Sequence, residues 1–546
     1  MRIIIDHEEQ LFSQPMRLDA LPSGRVKKPL IAKVNDRLRE LSYTLTDDAT
    51  VEFLDVSHPE GQFVYEATLR YLVAMAIDTL FPGLFYKFNF SVSRSTYCHV
   101  PTLPQGLKRS QFIEKITAFM DHKITLNLPI ERVYLSLEDV KEIYLRRGWH
   151  DKLESLRYRP EAGVHLYQCD GYLNYMYHHM APTTGVIEAF HLRAYAPGFL
   201  IQYPRSETGG MLPPFGDQPI FSQVLREASD WGLRIEAQTI AQINRYVDEK
   251  QTAELVQLNE SKHNQMIAQL GHIIENDRHN IRLIAIAGPS SSGKTTFSTR
   301  LRIELITQGL KPIMISLDDY YLDREYILPN EDGIIDLEHI ETLDIALLNE
   351  NLRDLIAGQT VALPRFDFTL KKRVGYRNVT VEPNQPIIIE GIHALNPRLT
   401  ELVTDAQVYR IFIAPMLQIN QDWHNPISLT NLRLLRRIVR DQKYRNASAE
   451  KTITMWPSVR QGEFKWIYPF QERAHYIYNS GLLYEFGVLK PLAMASLEKI
   501  AANSEHYITA NRLMKFLKYF MPIDEKHVPC NSLLREFIGD SCFSFE

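Results

Sequence analysis

Hydrophobic and polar positions follow two different rhythms in the two halves of the chain. Before about residue 226, short alternating segments such as residues 50–56 are typical of half-buried strands, and helical segments such as residues 66–80 lie between them. After about residue 281, fully apolar runs alternate with amphipathic segments. The apolar run at residues 281–287 precedes a segment in which apolar residues recur every four positions from 297 to 305. This rhythm predicts an α/β fold with a parallel sheet and flanking helices.

Changes of pattern divide the chain into five segments, and the sequence contains no internal repeat. Residues 227–280 lack proline and are rich in Gln, Glu, Ala and Leu, which favours helices that connect the two halves. The predicted segments are a strand-rich module at 1–61, an α+β domain at 62–226, a helical connector at 227–280, an α/β domain at 281–490 and a helical segment at 491–546.

Composition and charge describe an ordinary folded protein. The 546 residues exceed what one hydrophobic core supports, so several domains are expected. The formal net charge of -5 gives no overall electrostatic reason to bind nucleic acid or an anionic membrane, and the four cysteines form no CxxC pair. No signal-peptide pattern and no apolar window of about 18 residues is present, so we expect a cytoplasmic protein without a membrane partner. The sequence leaves a homo-oligomer possible.

A glycine-rich segment between the first apolar run and the following helix matches the phosphate-binding pattern GxxxxGK[ST]. Its glycines let the backbone curl so that successive N–H groups point at phosphate oxygens, and the helix N-terminus adds positive potential. Lys294 is expected to bridge the β- and γ-phosphates and Thr295 to ligate Mg²⁺, so the predicted ligand is ATP or GTP with Mg²⁺. The predicted nucleotide-binding residues are Gly288, Pro289, Ser290, Ser291, Ser292, Gly293, Lys294, Thr295 and Thr296.

Acidic residues follow two of the other predicted strands. Residues 315–317 lead into Asp318 and Asp319, and residues 387–389 lead into Glu390. Because ligands of open α/β sheets bind at the carboxyl ends of the strands, these side chains are expected near the phosphates. A carboxylate at this place can accept the proton of an acceptor hydroxyl or hold Mg²⁺. The alternative for each acid is an ordinary helix cap.

Several separated motifs now point to one family. Over roughly residues 281–492 the sequence resembles the uridine kinase and phosphoribulokinase family. The motifs occur in the family's order: GPSSSGKTT at 288–296, SLDDYY at 316–321, the segment 335–344, FDF at 366–368 and EGIHAL at 390–395.

The resemblance implies roles for the acidic residues and for the P-loop, residues 288–295. Asp318 is implied as the base for an attacking 5′-hydroxyl, and Lys294 as the cation on the transferred phosphate. Tyr321 is implied near the acceptor, and Glu390 is implied together with Thr295 around Mg²⁺.

On the acceptor side the sequence both follows the family and departs from it. An acidic residue just before a histidine contacts the ribose hydroxyls in the family; here Glu338 precedes His339, with Asp336 as the close alternative. Phe366 and Lys371 stand where uridine kinases have a tyrosine and a base-contacting histidine. The nucleobase is therefore undetermined, and we expect the preferred base to differ from uracil.

Four arginines lie at spacings that place them on one helical stripe: Arg433, Arg436, Arg437 and Arg440. Like charges three or four residues apart repel, which favours a neighbouring anion, while a solvated basic face is the alternative. The resemblance implies Arg437 and Arg440 as catalytic lid arginines and Arg445 as a nucleotide-binding one, whereas a further lid arginine is replaced by Ala447.

The N-terminal half carries a second resemblance. Residues 32–206 resemble the start of threonyl-tRNA synthetases, which is a ubiquitin-like TGS module followed by an α+β domain that removes mischarged serine; segments 38–42, 68–82 and 169–182 carry the likeness. The HxxxH and CxxxH positions of that editing site hold Tyr71, Met75, Met176 and Met180. Tyrosine and methionine cannot replace imidazole as proton carrier, so editing should be absent. The cleft could still bind an amino acid, a nucleotide or an RNA end.

Three functions are compatible with these patterns. The first is an ATP-dependent nucleoside kinase that transfers the γ-phosphate to a 5′-hydroxyl, as the motifs of the C-terminal half imply. The second is a kinase of another small alcohol such as a sugar phosphate, as in phosphoribulokinases. The third is an RNA-binding regulator in which an ATPase acts as a switch.

Overall fold

The computed structural model describes residues 1–327, 336, 338–367 and 369–543, of which residues 1–54 form a small mixed sheet. The strands of this segment are β1 (Arg2–Ile5), β2 (Glu8–Leu11), β3 (Met16–Arg17), β4 (Ile31–Val34), β5 (Arg37–Arg39), β6 (Thr44–Leu45) and β7 (Ala49–Leu54). Strands β3 and β6 pair with each other in a separate two-stranded sheet. The main sheet has the order β2-β1-β7-β4-β5, with β1 parallel to β7. Val51 and Phe53 of β7 are buried while the residues between and before them are exposed, as the alternating pattern predicts.

The second part of the chain, from residue 59 to 202, combines helices with two antiparallel sheets. Its elements are α1 (Pro59–Leu80), β8 (Lys87–Val92), β9 (Ser95–His99), α2 (Arg109–Thr125), β10 (Glu131–Ser136), α3 (Leu137–Arg147), α4 (His150–Arg157), β11 (Gly163–Cys169), β12 (Tyr172–Asn174), β13 (His191–Tyr195) and β14 (Gly198–Gln202). The sheet orders are β13-β14-β9-β8 and β10-β11-β12. The side chains at the four synthetase editing positions are each at most 2% exposed in one apolar core: Tyr71, Met75, Met176 and Met180.

Three helices connect the two halves: α5 (Pro219–Arg234), α6 (Ile240–Asp248) and α7 (Thr252–Asn276). They are part of the C-terminal core rather than a free linker. Ile267 and Leu270 of α7 lie in the same hydrophobic cluster as Ile284 and Ile286, because amphipathic helices bury their apolar face against the sheet.

The C-terminal half has the predicted parallel sheet. Its elements are β15 (Leu283–Ala287), α8 (Lys294–Thr307), β16 (Ile313–Ser316), α9 (Ile345–Ile356), β17 (Val361–Asp367), β18 (Lys372–Val379), β19 (Ile387–Glu390), β20 (Val408–Ala414), β21 (Asn420–Asp422), β22 (Asn425–Pro426), α10 (Leu429–Arg445), α11 (Ala449–Gly462), β23 (Tyr476–Asn479), α12 (Glu485–Leu497), α13 (Tyr507–Leu517) and α14 (Arg535–Ile538).

The sheet has the strand order β16-β19-β15-β20-β23, and all of these pairs are parallel. The central strand β15 is buried on both faces: Ile284 packs into one hydrophobic cluster and Leu283 into another. Helices covering both faces explain why β15 is fully apolar instead of alternating. Within the described residues, no helix is long and apolar enough to cross a membrane.

The short hairpin β21–β22 joins the two halves. The backbone N–H of Phe88 donates to the carbonyl of Trp423 at 2.8 Å, and the Asn420 amide donates to the carbonyl of Phe88 at 2.8 Å. Beside these bonds, the Lys152 ammonium lies 2.8 Å from the Asp422 carboxylate, and each side chain is 1% exposed. The hairpin therefore holds the C-terminal half against the N-terminal half through buried polar contacts.

Candidate functional site

The P-loop connects β15 to α8 in a conformation that requires small residues. Gly293 has a φ of +90°, a left-handed value that L side chains rarely adopt. A Cβ at Gly288 would lie 2.1 Å from the carbonyl oxygen of Ile413, so no side chain fits there. The tight turn places the N-terminal N–H groups of α8 at the carboxyl end of the sheet.

Hydroxyl groups of the P-loop and of the first turn of α8 fit a phosphate ligand. The side-chain oxygens of Ser291, Ser292 and Thr296 are buried and have no hydrogen-bond partner within the described part of the chain. Buried polar groups are normally paired, so these three atoms mark a place built for an external polar group. The Lys294 ammonium donates to the carbonyl of Gly288 at 3.1 Å, which keeps it at the loop.

Two arginines of α10 contact the backbone of the P-loop and support it. Arg433 forms a buried ion pair with Glu463, and Arg436 forms one with Glu485 at 2.6 Å. Arg436 also donates to the carbonyl of Ser291 at 3.3 Å. The anions that neutralise these two arginines are thus protein carboxylates. Their role is to hold the loop, which differs from the anion-facing stripe that the spacing alone suggests.

The remaining arginines of the lid share one carboxylate. The distances to Asp441 are 3.3 Å from Arg437, 2.9 Å from Arg440 and 3.4 Å from Arg445. Arg437 also donates to the Ser290 hydroxyl at 2.8 Å, which brings it to the P-loop. Three cations against one carboxylate leave an excess of positive charge, which suits the phosphates of a nucleotide.

Asp318 and Asp319 follow β16 in a short 3-10 helix, Leu317–Tyr320. The Asp319 carboxylate accepts a hydrogen bond from the backbone N–H of Phe366 at 3.2 Å. Within the described residues the Asp318 carboxylate accepts no such bond, and solvent reaches it. Partial desolvation in the cleft raises the pKa of Asp318, while the nearby Lys294 ammonium opposes the rise.

Glu390 ends β19, the strand between β15 and β16. Burial raises the pKa of Glu390 to about 7, and the Lys294 ammonium opposes this rise. The negative charge of Asp318 also raises the pKa of Glu390, so both carboxylates lie near Lys294. No group of three or more metal-ligating side chains occurs among the described residues. Mg²⁺ commonly binds one or two protein ligands plus substrate phosphates, so Glu390 with Thr295 fits this ion.

A second acidic group lies on the acceptor side. Burial raises the pKa of Glu338 to about 7, and Arg437 and Lys294 oppose the rise. The backbone N–H of Glu338 donates to Asp336 at 3.0 Å. Burial also raises the pKa of Tyr321, and Asp318 and Glu338 add to this effect. The structure thus brings Tyr321, Glu338 and Asp336 beside the Asp318 and Lys294 pair.

The predicted base-contacting positions lie on the hairpin β17–β18. The ring of Phe366 lies 5.8 Å from the ring of Tyr321, so this residue reaches the acceptor side. Lys371 occupies the turn of the hairpin with a φ of +56° and is exposed. The structure does not bring Lys371 to the acidic group. Of the motif residues, Ile335, Leu337 and Phe368 lie outside the described residues.

The structure adds two residues that sequence reasoning did not select. Glu536 of α14 accepts a hydrogen bond from the backbone N–H of Thr296 at 3.1 Å, and Leu533 packs on Gly293. No sequence motif predicts this contact, because it joins segments that are 240 residues apart. The second is His393, whose ring nitrogens are buried without a partner among the described residues and whose pKa burial lowers to about 4. His393 belongs to the EGIHAL motif, so its position in that motif was an available signal.

Comparisons with known proteins match part of the C-terminal half to one family of kinases. Residues 283–482 match the phosphoribulokinase / uridine kinase family. A uridine kinase of Staphylococcus haemolyticus is 33% identical over 180 residues, which cover 33% of this chain and 78% of that enzyme. A uridine kinase of Macrococcus caseolyticus is 32% identical over 201 residues, which cover 36% of this chain and 88% of that enzyme. A solved structure of a possible uridine kinase from Bacillus stearothermophilus matches with a TM-score of 0.25 and 20% sequence identity. The match covers 37% of this chain and 89% of that structure.

Proposed function

The chain belongs to the phosphoribulokinase and uridine kinase family, and from this premise we propose that it is an ATP-dependent nucleoside kinase acting on a 5′-hydroxyl. The observation that carries the proposal is the convergence of three side chains. Lys294 follows β15 through the P-loop, and Asp318 and Glu390 lie at the ends of β16 and β19; these three strands are neighbours in the sheet. Ligands of open α/β sheets bind at this edge.

The chain's own groups account for the transfer step. The N–H groups at the start of α8 and the Lys294 ammonium stabilise charge on the transferred phosphate. The Asp318 carboxylate accepts no hydrogen bond from the described part of the chain, and it accepts the proton as the acceptor oxygen forms its bond to phosphorus and the bond to the leaving diphosphate breaks. Arg437, which donates to the Ser290 hydroxyl, and Arg440 beside it around Asp441 add positive charge from α10.

Mg²⁺ fits the site through Thr295 and Glu390. When bound, the ion neutralises phosphate charge and orients the transferred group. Glu390 must be ionised to serve as a ligand, and its pKa of about 7 makes that ionisation sensitive to pH near neutrality. The Thr295 hydroxyl stands at the N-terminus of α8, where it can share the ion with the P-loop phosphates.

The acceptor is assigned to the space between Tyr321, Phe366 and Glu338. The aromatic rings offer an apolar surface to a base, and an ionised Glu338 can accept hydrogen bonds from ribose hydroxyls. The Asp336 carboxylate accepts a hydrogen bond from the Glu338 backbone N–H, which orients this segment. Because Phe366 and Lys371 replace a tyrosine and a histidine of uridine kinases, we propose that the preferred base differs from uracil.

A product-formation screen tests the proposal. Nucleosides and sugar phosphates are offered with ATP and Mg²⁺ to the wild type, to Lys294→Ala and to the matched control Lys311→Ala, a surface lysine. We expect a phosphorylated nucleoside with the wild type and the control, and turnover lowered by about 10²-fold or more with Lys294→Ala. Preference for a sugar phosphate, or hydrolysis independent of any acceptor, would exclude a nucleoside kinase.

For the N-terminal half we propose a binding domain related to the TGS and editing domains of threonyl-tRNA synthetase, without editing activity. Support comes from the core packing of the four editing positions, which leaves no imidazole or thiol pair at that place. The full chain should therefore leave seryl-tRNA intact. Deacylation at the rate of a threonyl-tRNA synthetase would refute the assignment.

A further inference from the structure

A cavity of about 530 Å³ lies between the N-terminal half and helix α13. Strands β5, β10 and β11 supply Arg39, Tyr134 and His165 to its wall, and α13 supplies Arg512 and Lys515. Cavities of roughly 300–1,000 Å³ are typical of small-molecule sites. No residue of the P-loop lines this cavity, so it is separate from the kinase site.

The wall of this cavity is strongly cationic. Seven cations face two carboxylates: Arg37, Arg39, Arg132, Arg159, Arg512, Lys515 and Lys518 against Glu60 and Glu161. Glu161 pairs with Arg159 and Lys518, and Glu60 pairs with Arg512. The other four cations form no ion pair within the described part of the chain. Glu40 lies near Arg132 and Lys515 and offsets part of this charge, and the excess is available to an external anion.

Lys515 experiences the repulsion of these neighbours. Lys515 is exposed, but partial desolvation by the cavity wall lowers its pKa, and Arg132, Lys518 and Arg39 lower it further, while Glu40 opposes them. Burial together with Arg132 also lowers the pKa of His165 on the opposite wall. An anion bound between Lys515 and Arg132 would relieve this repulsion, which is the electrostatic condition of a phosphate site.

Flat ring surfaces accompany the cations. Tyr134 is 57% exposed, and its ring lies 4.9 Å from the ring of His165. On another side of the cavity, Phe63 and His178 stack with a centroid distance of 5.0 Å and an interplanar angle of 3°. A large exposed aromatic beside unpaired cations is the combination with which proteins bind nucleotides, since bases stack on rings while cations hold the phosphate.

We propose that this cavity binds a nucleotide unit, with the phosphate between Lys515 and Arg132 and the base stacked on Tyr134. The unit comes either from a free nucleotide or from the end of an RNA chain, since both present the same phosphate and base. The proposal deepens the assignment of the N-terminal half as a binding domain. It does not depend on the kinase reaction.

Binding to the full-length protein tests this site. Titrations use Lys294→Ala as the background, because that change weakens binding at the P-loop. The probes are inorganic phosphate, adenosine 5′-monophosphate and a tri-adenylate RNA. Added changes are Lys515→Glu, Arg132→Glu and Tyr134→Ala, with Lys115→Glu as the control because this exposed lysine lies outside the cavity.

We expect each of the three cavity variants to weaken binding of a nucleotide probe by roughly tenfold or more, with the control unchanged. The same three changes placed in the wild-type background should leave the KM for ATP at the P-loop unaltered. Binding of the RNA but not of the mononucleotide identifies an RNA end as the source. The proposal would be overturned if inorganic phosphate bound as tightly as the nucleotide probes, because the base would then contribute nothing. It would also be overturned if the cavity variants bound a nucleotide probe as tightly as the control, or if neither nucleotide probe bound.

Discussion

At the scale of single residues, Asp318 and Asp319 show how surroundings separate two identical side chains. The Asp319 carboxylate is committed to the backbone N–H of Phe366, whereas Asp318 faces the cleft near Lys294. A general base needs an uncommitted lone pair within reach of the acceptor proton. The geometry therefore favours Asp318 as the general base. From the residues alone, without the family resemblance, the sequence could not distinguish Asp318 from Asp319.

Replacing Asp318 by asparagine should lower kcat by about 10²-fold or more, because the amide cannot accept the acceptor proton. The KM for ATP should change far less, since the P-loop holds the nucleotide. Steady-state kinetics of Asp318→Asn and Asp319→Asn, with folding checked by circular dichroism, provide the measurement. A larger loss in Asp319→Asn would show that the base is the other carboxylate.

Glu536 places a negative charge where a phosphate should bind. Its carboxylate accepts from the Thr296 N–H, and it is one of the causes that raise the pKa of Glu390. Glu536→Gln should therefore lower the KM for ATP, by roughly threefold to tenfold for the loss of one charged competitor. Without that negative neighbour the pKa of Glu390 falls, so the acid limb of the Mg²⁺-dependent rate should move to lower pH.

Kinetics from pH 5.5 to 8.5, roughly centred on the pKa of about 7, measure both effects of Glu536→Gln. Glu525→Gln is the matched control, because Glu525 is an exposed residue of the same C-terminal segment whose backbone carbonyl, rather than its carboxylate, accepts hydrogen bonds from Arg535 and Val528. A higher KM for ATP in Glu536→Gln would mean that this carboxylate assists nucleotide binding instead of competing with it.

At the scale of elements, helix α10 serves two purposes that one periodic pattern could not separate. Its first two arginines are buried against Glu463 and Glu485, which come from later parts of the chain. The arginines after them lie around Asp441 and keep excess positive charge. Spacing places side chains on one face of a helix, but the elements packed against that face decide what each side chain contacts.

The hairpin β17–β18 bears the prediction about the base. A lysine ammonium donates hydrogen bonds and cannot accept one, whereas a neutral histidine does both. Uridine should therefore not be strongly preferred by the wild type, and Lys371→His should raise the relative rate on uridine several-fold. Competition among uridine, cytidine, adenosine, guanosine and inosine measures this. Lys372→His, the exposed neighbour, is the control.

The exposed position of Lys371 makes this a demanding test of the hairpin. A wild type that strongly prefers uridine, together with no effect of Lys371→His, would remove Lys371 from the acceptor site. In that case Phe366 alone would represent the hairpin beside Tyr321.

At the scale of the whole molecule, the two halves are joined by buried polar contacts. Lys152 and Asp422 are each 1% exposed, and the Asp422 carboxylate also accepts from the Asn425 amide at 2.9 Å. Removing one partner of a buried ion pair leaves an uncompensated charge. Stability of the joined molecule should thus depend on this pair far more than on surface pairs.

Lys152→Met should lower the free energy of unfolding by about 3–5 kcal/mol, because Asp422 is left buried without its cation. Lys526→Met removes a surface pair with Asp524, in which the lysine side chain is 71% exposed, and should cost less than about 1 kcal/mol. Denaturant titrations of both variants provide the comparison. Equal effects would show that the hairpin β21–β22 does not couple the two halves energetically.

The sequence by itself determined the α/β fold of the C-terminal half and the ends of three of its strands. Apolar runs that alternate with amphipathic helical segments indicate strands buried on both faces of a sheet. The P-loop motif can be recognised because it depends only on local backbone geometry. The positions of Lys294, Asp318 and Glu390 at one edge followed from that pattern, because parallel strands share their carboxyl ends.

Only the tertiary structure decided what depends on contacts between distant segments. Glu536 on the P-loop, the carboxylates that neutralise Arg433 and Arg436, and the cationic cavity each join residues that are far apart in sequence. Local patterns record which face of an element is buried. They do not record the partner, because packing of whole elements selects it after the local structure is already specified.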